Sequence, residues 1–112
     1  MNLERSYFES MKLGDKIYEI RVFDKKRQQL SLKDQIEFKH EDSKITVSVE
    51  KILLFDNFHE ALLCVGIENA LPGCKSLDEA TKIYESIMTP NGTYKELAKE
   101  HGVVAMRIKL VD

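Results

Sequence analysis

The segment Val103–Leu110 has the β-branched and apolar composition of a strand, yet it lies far from the other strand-like segments, all of which end before residue 56. A strand with unpaired edges exposes N–H and C=O groups, so this late segment must pair with strands formed early in the chain. From Asn57 onward, apolar residues recur at helical spacing instead of alternating. The order helix, three strands, helices, strand therefore predicts an α+β fold with a mostly antiparallel sheet, and closing that sheet into a small β-barrel with surrounding helices would leave no free edge.

Periodicity and turn signals predict the individual elements. Apolar residues at helical spacing predict a first helix over Leu3–Leu13, with Asn2 at its N-cap and Gly14 in a left-handed conformation at its end. Ser76 and Glu79 have the spacing of a capping box. The remaining predicted elements are strands over Lys16–Phe23, Gln35–His40 and Lys44–Phe55, helices over Asn57–Val65, Ser76–Met88 and Thr93–Glu100, and a compact turn over Ile67–Gly73.

Composition indicates one compact domain over residues 1–112. Hydrophobic residues make up 43% and charged residues 32% of the chain, which suffices for one core without disulfides. We therefore expect Cys64 and Cys74 to be free thiols, with Cys64 buried as a small apolar side chain. No run of about 18 apolar residues and no basic start followed by an apolar stretch is present, so we expect no membrane span and a cytoplasmic location.

The distribution of charge and the positions of the histidines limit which ligands the protein can be expected to bind. The net charge of −2 argues against a general nucleic-acid coat protein. Residues 1–40 hold nine basic and seven acidic side chains, an excess that either steers a small anion or one RNA stretch, or is chance surface patterning. His40, His59 and His101 do not have metal-ligand spacing, so we expect neither a metal site nor a cofactor.

One motif carries chemical information: Gly14, Lys16, Glu19 and Arg21 spell G-x-K-x-x-E-x-R. Glu19 and Arg21 are two residues apart, so a strand places both on one face, and Lys16 at the start of the strand can turn toward the same pocket. Such a charged cleft can bind a base edge, a phosphate or a small polar substrate. The alternative is a purely structural ion pair at one end of the sheet. Whether Glu19 or Arg21 lies nearer to Lys16 stays open, and with it the protonation of the amine.

The motif resembles the signature of the ASCH family, small domains related to the PUA fold. The resemblance continues in Lys33–Phe38, where the family has G-D-x-I-x-F, in Leu71–Gly73 and in the closing strand Gly102–Ile108. It covers nearly the whole chain. It implies a single ASCH-like domain with a PUA-like barrel and a cleft beside the signature strand.

The resemblance further implies binding of RNA or of a modified nucleoside or nucleotide. The charged strand residues would supply two donors and one acceptor, a basic loop would contact phosphate, and a tyrosine would stack on a base. The residues expected to take part are Lys16, Tyr18, Glu19, Arg21, Lys25, Lys26 and Arg27. Nothing in the sequence marks a surface for self-association.

Some small members that resemble this chain are amidohydrolases acting on N4-acetylcytidine, which gives an enzymatic alternative. Lys16 would then be central, with Glu19 as acid or base. The threonine that serves those enzymes as nucleophile is replaced by Glu19, and Leu71–Lys75, where their glutamate is expected, contains no acid. The sequence therefore leaves open whether the protein is a binding module or an enzyme.

Overall fold

The computed structural model describes residues 3–111. Five helices and six strands are present in this range, together with a short 3₁₀ helix over Arg27–Gln29. In chain order they are α1 (Arg5–Leu13), β1 (Tyr18–Val22), β2 (Gln35–His40), β3 (Ser43–Phe55), α2 (Phe58–Val65), α3 (Ile67–Ala70), α4 (Leu77–Glu85), β4 (Met88–Thr89), β5 (Gly92–Thr93), α5 (Tyr94–His101) and β6 (Val103–Leu110).

The main sheet is antiparallel, with the strand order β1-β6-β3-β2. The last strand of the chain thus pairs with early strands, as predicted, and lies in the middle of the sheet between β1 and β3. A register shift between Val49 and Lys51 interrupts the pairing of β3 with β6, the kind of irregularity that bends a strand. The result is an α+β domain with a curled antiparallel sheet, a half-barrel, flanked by helices.

Apolar residues pack on both faces of this sheet, because alternate residues of β6 point to opposite sides. Val103 and Ala105 join a core built with α2 to α5, and Val104 and Met106 join a second core that includes Met11 of α1. Burial on both faces explains why the first four residues of β6, Val103 to Met106, are all apolar.

The ends of α1 agree in part with the sequence analysis. Gly14 has φ 88° and ends the helix in the left-handed conformation, as predicted. The helix begins at Arg5 with Glu4 in the N-cap position, and the proposed cap Asn2 lies outside the described residues.

The helix predicted over Ser76–Met88 is wrong at its C-terminal end. Helix α4 ends at Glu85, and Met88–Thr89 pairs instead with Gly92–Thr93 in a small hairpin. Ser76 does accept a hydrogen bond from the Glu79 amide, but the reciprocal capping box forms at Thr93, before α5. The helix therefore ends three residues before the predicted end, because the residues on either side of the turn 90–91 form the hairpin.

Two other expectations are corrected. The segment predicted as a turn after α2 contains the short helix α3. Cys64 is exposed rather than buried, because α2 turns Leu62 and Val65 inward and leaves Leu63 and Cys64 on its outer face. Both cysteines are free thiols. Within residues 3–111, no helix is long and apolar enough to cross a membrane.

Candidate functional site

Lys16 lies just before β1 and is buried, with 2% of its surface exposed. Its Nζ donates to the carbonyl oxygens of Tyr18 and Ala70, and lies 3.2 Å from Glu19 Oε1. A lysine ammonium has three N–H groups, so these three acceptors match its full donor capacity. The backbone of α3 and β1 therefore holds Lys16 in one position.

Glu19 connects Lys16 to Arg21. Glu19 Oε2 accepts hydrogen bonds from Arg21 Nη2 at 2.9 Å and from Arg21 Nε at 3.2 Å. The carboxylate is 3% exposed, whereas the Arg21 side chain keeps 16% of its surface accessible. Glu19 and Arg21 thus pair as their strand spacing predicts, and Glu19 is the charged neighbour in contact with Lys16. We call these three residues the charged cluster.

Burial and the charges within the charged cluster together shift the pKa values of its three residues. Burial lowers the pKa of Lys16 and outweighs the opposing effect of Glu19. Burial alone would raise the pKa of Glu19, but the charges of Lys16 and Arg21 bring it below its ordinary value. Burial likewise opposes the charge of Arg21, yet Glu19 and a hydrogen bond with Tyr94 raise its pKa. Glu19 is therefore ionised at neutral pH, and it lies between the two basic side chains of Lys16 and Arg21.

A cavity of about 370 Å³ opens beside the charged cluster. Its walls come from α1, β1, the segment after α3, α4 and its C-terminal extension, and the start of α5. Three of the four tyrosines of the chain line it. The lining residues are Leu3, Glu4, Tyr7, Lys16, Glu19, Ile20, Arg21, Leu71, Ile83, Tyr84, Ile87 and Tyr94.

Tyr84 is the most buried of these tyrosines, with 5% of its surface exposed. Its ring stacks on Phe58 at a centroid distance of 5.1 Å, and Phe58 also stacks with Tyr94 at 5.7 Å. The buried Tyr84 hydroxyl has no hydrogen-bond partner among residues 3–111. Burial, reinforced by Glu19, raises its pKa well above the ordinary value, so the hydroxyl keeps its proton.

The other predicted binding residues lie outside the cavity lining. Tyr18 is half-buried and packs against the core formed with the helices, and only its carbonyl reaches the charged cluster. Lys25 and Lys26 are exposed in the loop after β1. Arg27 Nη1 pairs with Asp24 Oδ2 at 3.0 Å within the same loop. The structure therefore brings together Lys16, Glu19 and Arg21, but not the loop cations or Tyr18.

Sequence reasoning missed the aromatic part of the cavity. Tyr84 lies on the buried side of α4, and an apolar helical pattern does not show that its hydroxyl stays unpaired. Tyr94 directly follows Thr93 in a Thr-x-x-Glu capping box, so a helix start there was readable from the sequence. Its contact with Arg21 depends on the tertiary packing of α5 near β1 and was not readable.

Within the described residues, no group of three or more His, Cys, Asp or Glu side chains could hold a metal ion. The site is thus built from one charged cluster, three tyrosines, aliphatic side chains and the exposed Glu4. Such a set can bind and orient a small planar or polar ligand through hydrogen bonds and ring contacts.

Together, fold and cavity define a small α+β domain whose curled antiparallel sheet carries a buried charged cluster open to a ligand-sized cavity. The chain is 37% identical to hypothetical protein PH0355, with a TM-score of 0.87 over 99% of this chain and 96% of that one. It is 34% identical to protein PF0455 from Pyrococcus furiosus, whose structure was solved by solution NMR, with a TM-score of 0.77 over 100% of this chain and 96% of that one. The chain belongs to the family that contains these two proteins. No protein-family model and no curated protein matches it.

Proposed function

We propose that this protein is a binding module of the ASCH type, related to PUA-like barrels, which binds a base of single-stranded RNA or a modified nucleoside in the cavity beside the charged cluster. The observation that carries this proposal is the opening of the buried Lys16–Glu19–Arg21 cluster into a cavity of about 370 Å³. Binding sites for small molecules typically have roughly 300–1,000 Å³ and combine apolar walls with few polar groups.

The lining suits a planar heterocycle. Leu71, Ile83 and Ile87 are aliphatic, and three tyrosines add aromatic surface. Proteins that read RNA by sequence commonly take unstacked bases into pockets with aromatic side chains and hydrogen-bond donors. Arg21, which lines the cavity and keeps part of its surface accessible, is the cation best placed to meet a ligand.

The exposed loop after β1 supports binding of a chain longer than one nucleoside. Lys25 and Lys26 are exposed in the loop that follows β1, the strand that carries Glu19 and Arg21. Flexible lysines on a surface loop are suited to phosphate contacts. Arg27 has a weaker claim to this role, because its guanidinium already pairs with Asp24.

The geometry of Lys16 favours binding over the amidohydrolase alternative. A general base needs a free lone pair, and the Lys16 amine is surrounded by three acceptors that fit its protonated form. Release of acetate from N4-acetylcytidine would therefore contradict a role in binding alone.

The test is an NMR titration of the labelled protein with a short mixed-sequence RNA and, separately, with N4-acetylcytidine while free acetate is monitored. We expect amide shifts that cluster on β1, α4 and the start of α5, without acetate release. Ile87, 39% exposed and part of the cavity lining, offers a blocking variant, Ile87→Trp. The matched control is Leu63→Trp on the outer face of α2, where the leucine is 66% exposed.

Loss of the shifts in Ile87→Trp but not in Leu63→Trp would support the cavity as the binding site. Shifts confined to other surfaces, or no shifts with either ligand, would contradict the proposal. Acetate release that Ile87→Trp abolishes would replace the binding module with the amidohydrolase.

A further inference from the structure

We infer, on the basis of the proposed function, that Tyr84 is a specificity-determining residue whose hydroxyl donates a hydrogen bond to a carbonyl oxygen of the bound ring. The cavity then selects keto-bearing bases over bases with an amino group at the same position. This goes beyond the charged motif, because Tyr84 lies on α4, more than sixty residues from the signature strand in the sequence.

The first step is that the Tyr84 hydroxyl is buried and unpaired. The residue is 5% exposed, lines the cavity and has no hydrogen-bond partner among the described residues. Buried polar atoms in folded proteins nearly always have a partner, so an orphaned one at a cavity wall indicates that a ligand supplies it.

The second step is that the hydroxyl is held in place before any ligand arrives. Tyr84 stacks on the fully buried Phe58 with an interplanar angle of 5°. Its helix α4 is capped by Ser76, whose side chain accepts a hydrogen bond from the Glu79 amide. A rigid donor loses little conformational entropy on binding and can therefore discriminate between ligands.

The third step is that the hydroxyl donates rather than accepts. Both Glu19 oxygens already accept N–H groups, from Lys16 and from Arg21, so the carboxylate offers little to a ligand donor. Arg21 lines the cavity and keeps part of its surface accessible, so its positive charge favours the partial negative charge of a carbonyl oxygen nearby. Glu4, the other carboxylate of the lining, is exposed, and solvent screens its charge. The raised pKa of Tyr84 agrees with a hydroxyl that keeps its proton.

The experiment compares nucleosides that differ in the substituent at one ring carbon. The keto compounds also carry an N–H on the neighbouring ring nitrogen, and the Tyr84→Phe variant separates the contribution of the carbonyl from that of this N–H. Dissociation constants are measured by NMR titration for uridine (4-keto), 2-pyrimidinone riboside (no substituent) and cytidine (4-amino). Inosine, purine riboside and adenosine give the same series for purines. In the ring series that binds, we expect the keto compound to bind roughly three- to tenfold more tightly than the unsubstituted one, which is the usual range for one neutral hydrogen bond.

Tyr84→Phe removes only the hydroxyl and keeps the ring that stacks on Phe58. We expect this variant to fold and to bind keto and unsubstituted compounds equally. Tyr18→Phe is the matched control, because Tyr18 loses the same atom outside the cavity lining, and it should keep the preference of the unaltered protein.

A keto preference that Tyr84→Phe abolishes would support the inference. Three outcomes would overturn the inference and leave the proposed function intact. The unaltered protein could bind all three compounds equally, it could prefer the amino compound, or the keto preference could survive in Tyr84→Phe. Failure of every nucleoside and of RNA to bind would overturn the proposed function and this inference with it.

Discussion

At the scale of single residues, the charged cluster is the part of the site that the sequence predicted best. Spacing alone placed Glu19 and Arg21 on one face of a strand, because side chains of a strand alternate. The position of Lys16 was harder to predict, since it precedes the strand and its Nζ is held by the carbonyl of Ala70, 54 residues away. The unpaired Tyr84 hydroxyl could not be predicted, because an orphaned group is defined by everything packed around it.

Glu19→Gln is expected to destabilise the protein strongly. The substitution leaves the buried Lys16 ammonium beside a neutral amide and removes the counter-charge of Arg21. Breaking a buried ion pair from one side costs about 3–5 kcal/mol of unfolding free energy, because an uncompensated charge remains in the interior. Urea denaturation monitored by circular dichroism measures this loss.

Glu37→Gln is the matched control for that experiment. Glu37 lies within 3.7 Å of Lys39 and Lys44 on the β2–β3 hairpin, and its side chain is 41% exposed. Surface ion pairs contribute about 0–1 kcal/mol, so we expect a small change. Equal losses in the two variants would show that the buried carboxylate has no special role in stability.

The lowered pKa of Glu19 also predicts a dependence of stability on pH. An unfolded glutamate has an ordinary pKa of 4.5, whereas the folded protein holds Glu19 below that value. The stabilising contribution of the carboxylate is complete above this ordinary value and declines as the pH falls toward the lower, folded pKa. The unfolding free energy of the unaltered protein should therefore fall more steeply from pH 5 to pH 3 than that of Glu19→Gln; parallel curves would contradict the assignment. This pH range runs from about half a unit above to about one and a half units below the ordinary glutamate pKa of 4.5.

At the scale of elements, the type and order of the helices and strands could be predicted where local sequence signals agree. Their boundaries could not be predicted where a neighbouring segment competes for the same residues. The period change at Asn57 and the late strand β6 both appear in the structure as predicted. Helix α4 ends early because Met88 and Thr89 pair with Gly92 and Thr93 in a local hairpin, which competes with the helix and which the apolar helical pattern does not show. Cys64 was misplaced for a related reason, since α2 is apolar on more than one side and only packing decides which side is buried.

Gly102, between α5 and β6, allows a prediction about backbone geometry. It has φ 78° and ψ −171°, a region that essentially only glycine adopts, and a Cβ there would lie 3.2 Å from the Phe55 carbonyl oxygen. We expect Gly102→Ala to lower the unfolding free energy by about 2–3 kcal/mol. Thermal unfolding followed by circular dichroism is the measurement.

Gly14→Ala separates the two causes of that loss. Gly14 also has a positive φ, 88°, but its ψ of 5° lies near the left-handed helical region, and a Cβ would meet nothing within 4 Å. Its cost should be about 1–2 kcal/mol, from conformation alone. A Gly14→Ala loss as large as that of Gly102→Ala would show that the contact with Phe55 is not important.

At the scale of the whole molecule, the sheet and the cavity differ in how far the sequence determines them. Pairing of β6 with early strands could be predicted from its position in the chain, but its central place in the sheet could not. The irregularity after Val49, which bends β3, has no signal in the residue types. The cavity draws its lining from α1, β1, α4, α5 and the segment after α3. The cavity therefore exists only once the whole fold is assembled. The spacing of the motif predicted only the lining residues on and just before β1, which are Lys16, Glu19 and Arg21.

The charge of the whole molecule limits how RNA can be held and gives the last prediction. A chain with net charge −2 gains no general attraction to a polyanion, so affinity must come from the cavity and from a few local phosphate contacts. Each phosphate neutralised on a single strand contributes about 0.7 to the slope of log affinity against log salt. If Lys25 and Lys26 each contact one phosphate, Lys25→Gln/Lys26→Gln reduces that slope by about 1.4.

Lys39→Gln/Lys44→Gln removes the same two charges from the β2–β3 hairpin, where both side chains are well exposed. Fluorescence anisotropy with a short labelled RNA at several salt concentrations measures both slopes. A change in the loop variant alone places the phosphate contacts next to β1, because long-range electrostatics would weaken both variants alike. Equal changes would instead mean that the loop acts only through the overall charge, and the phosphate-contact role of Lys25 and Lys26 would then be wrong.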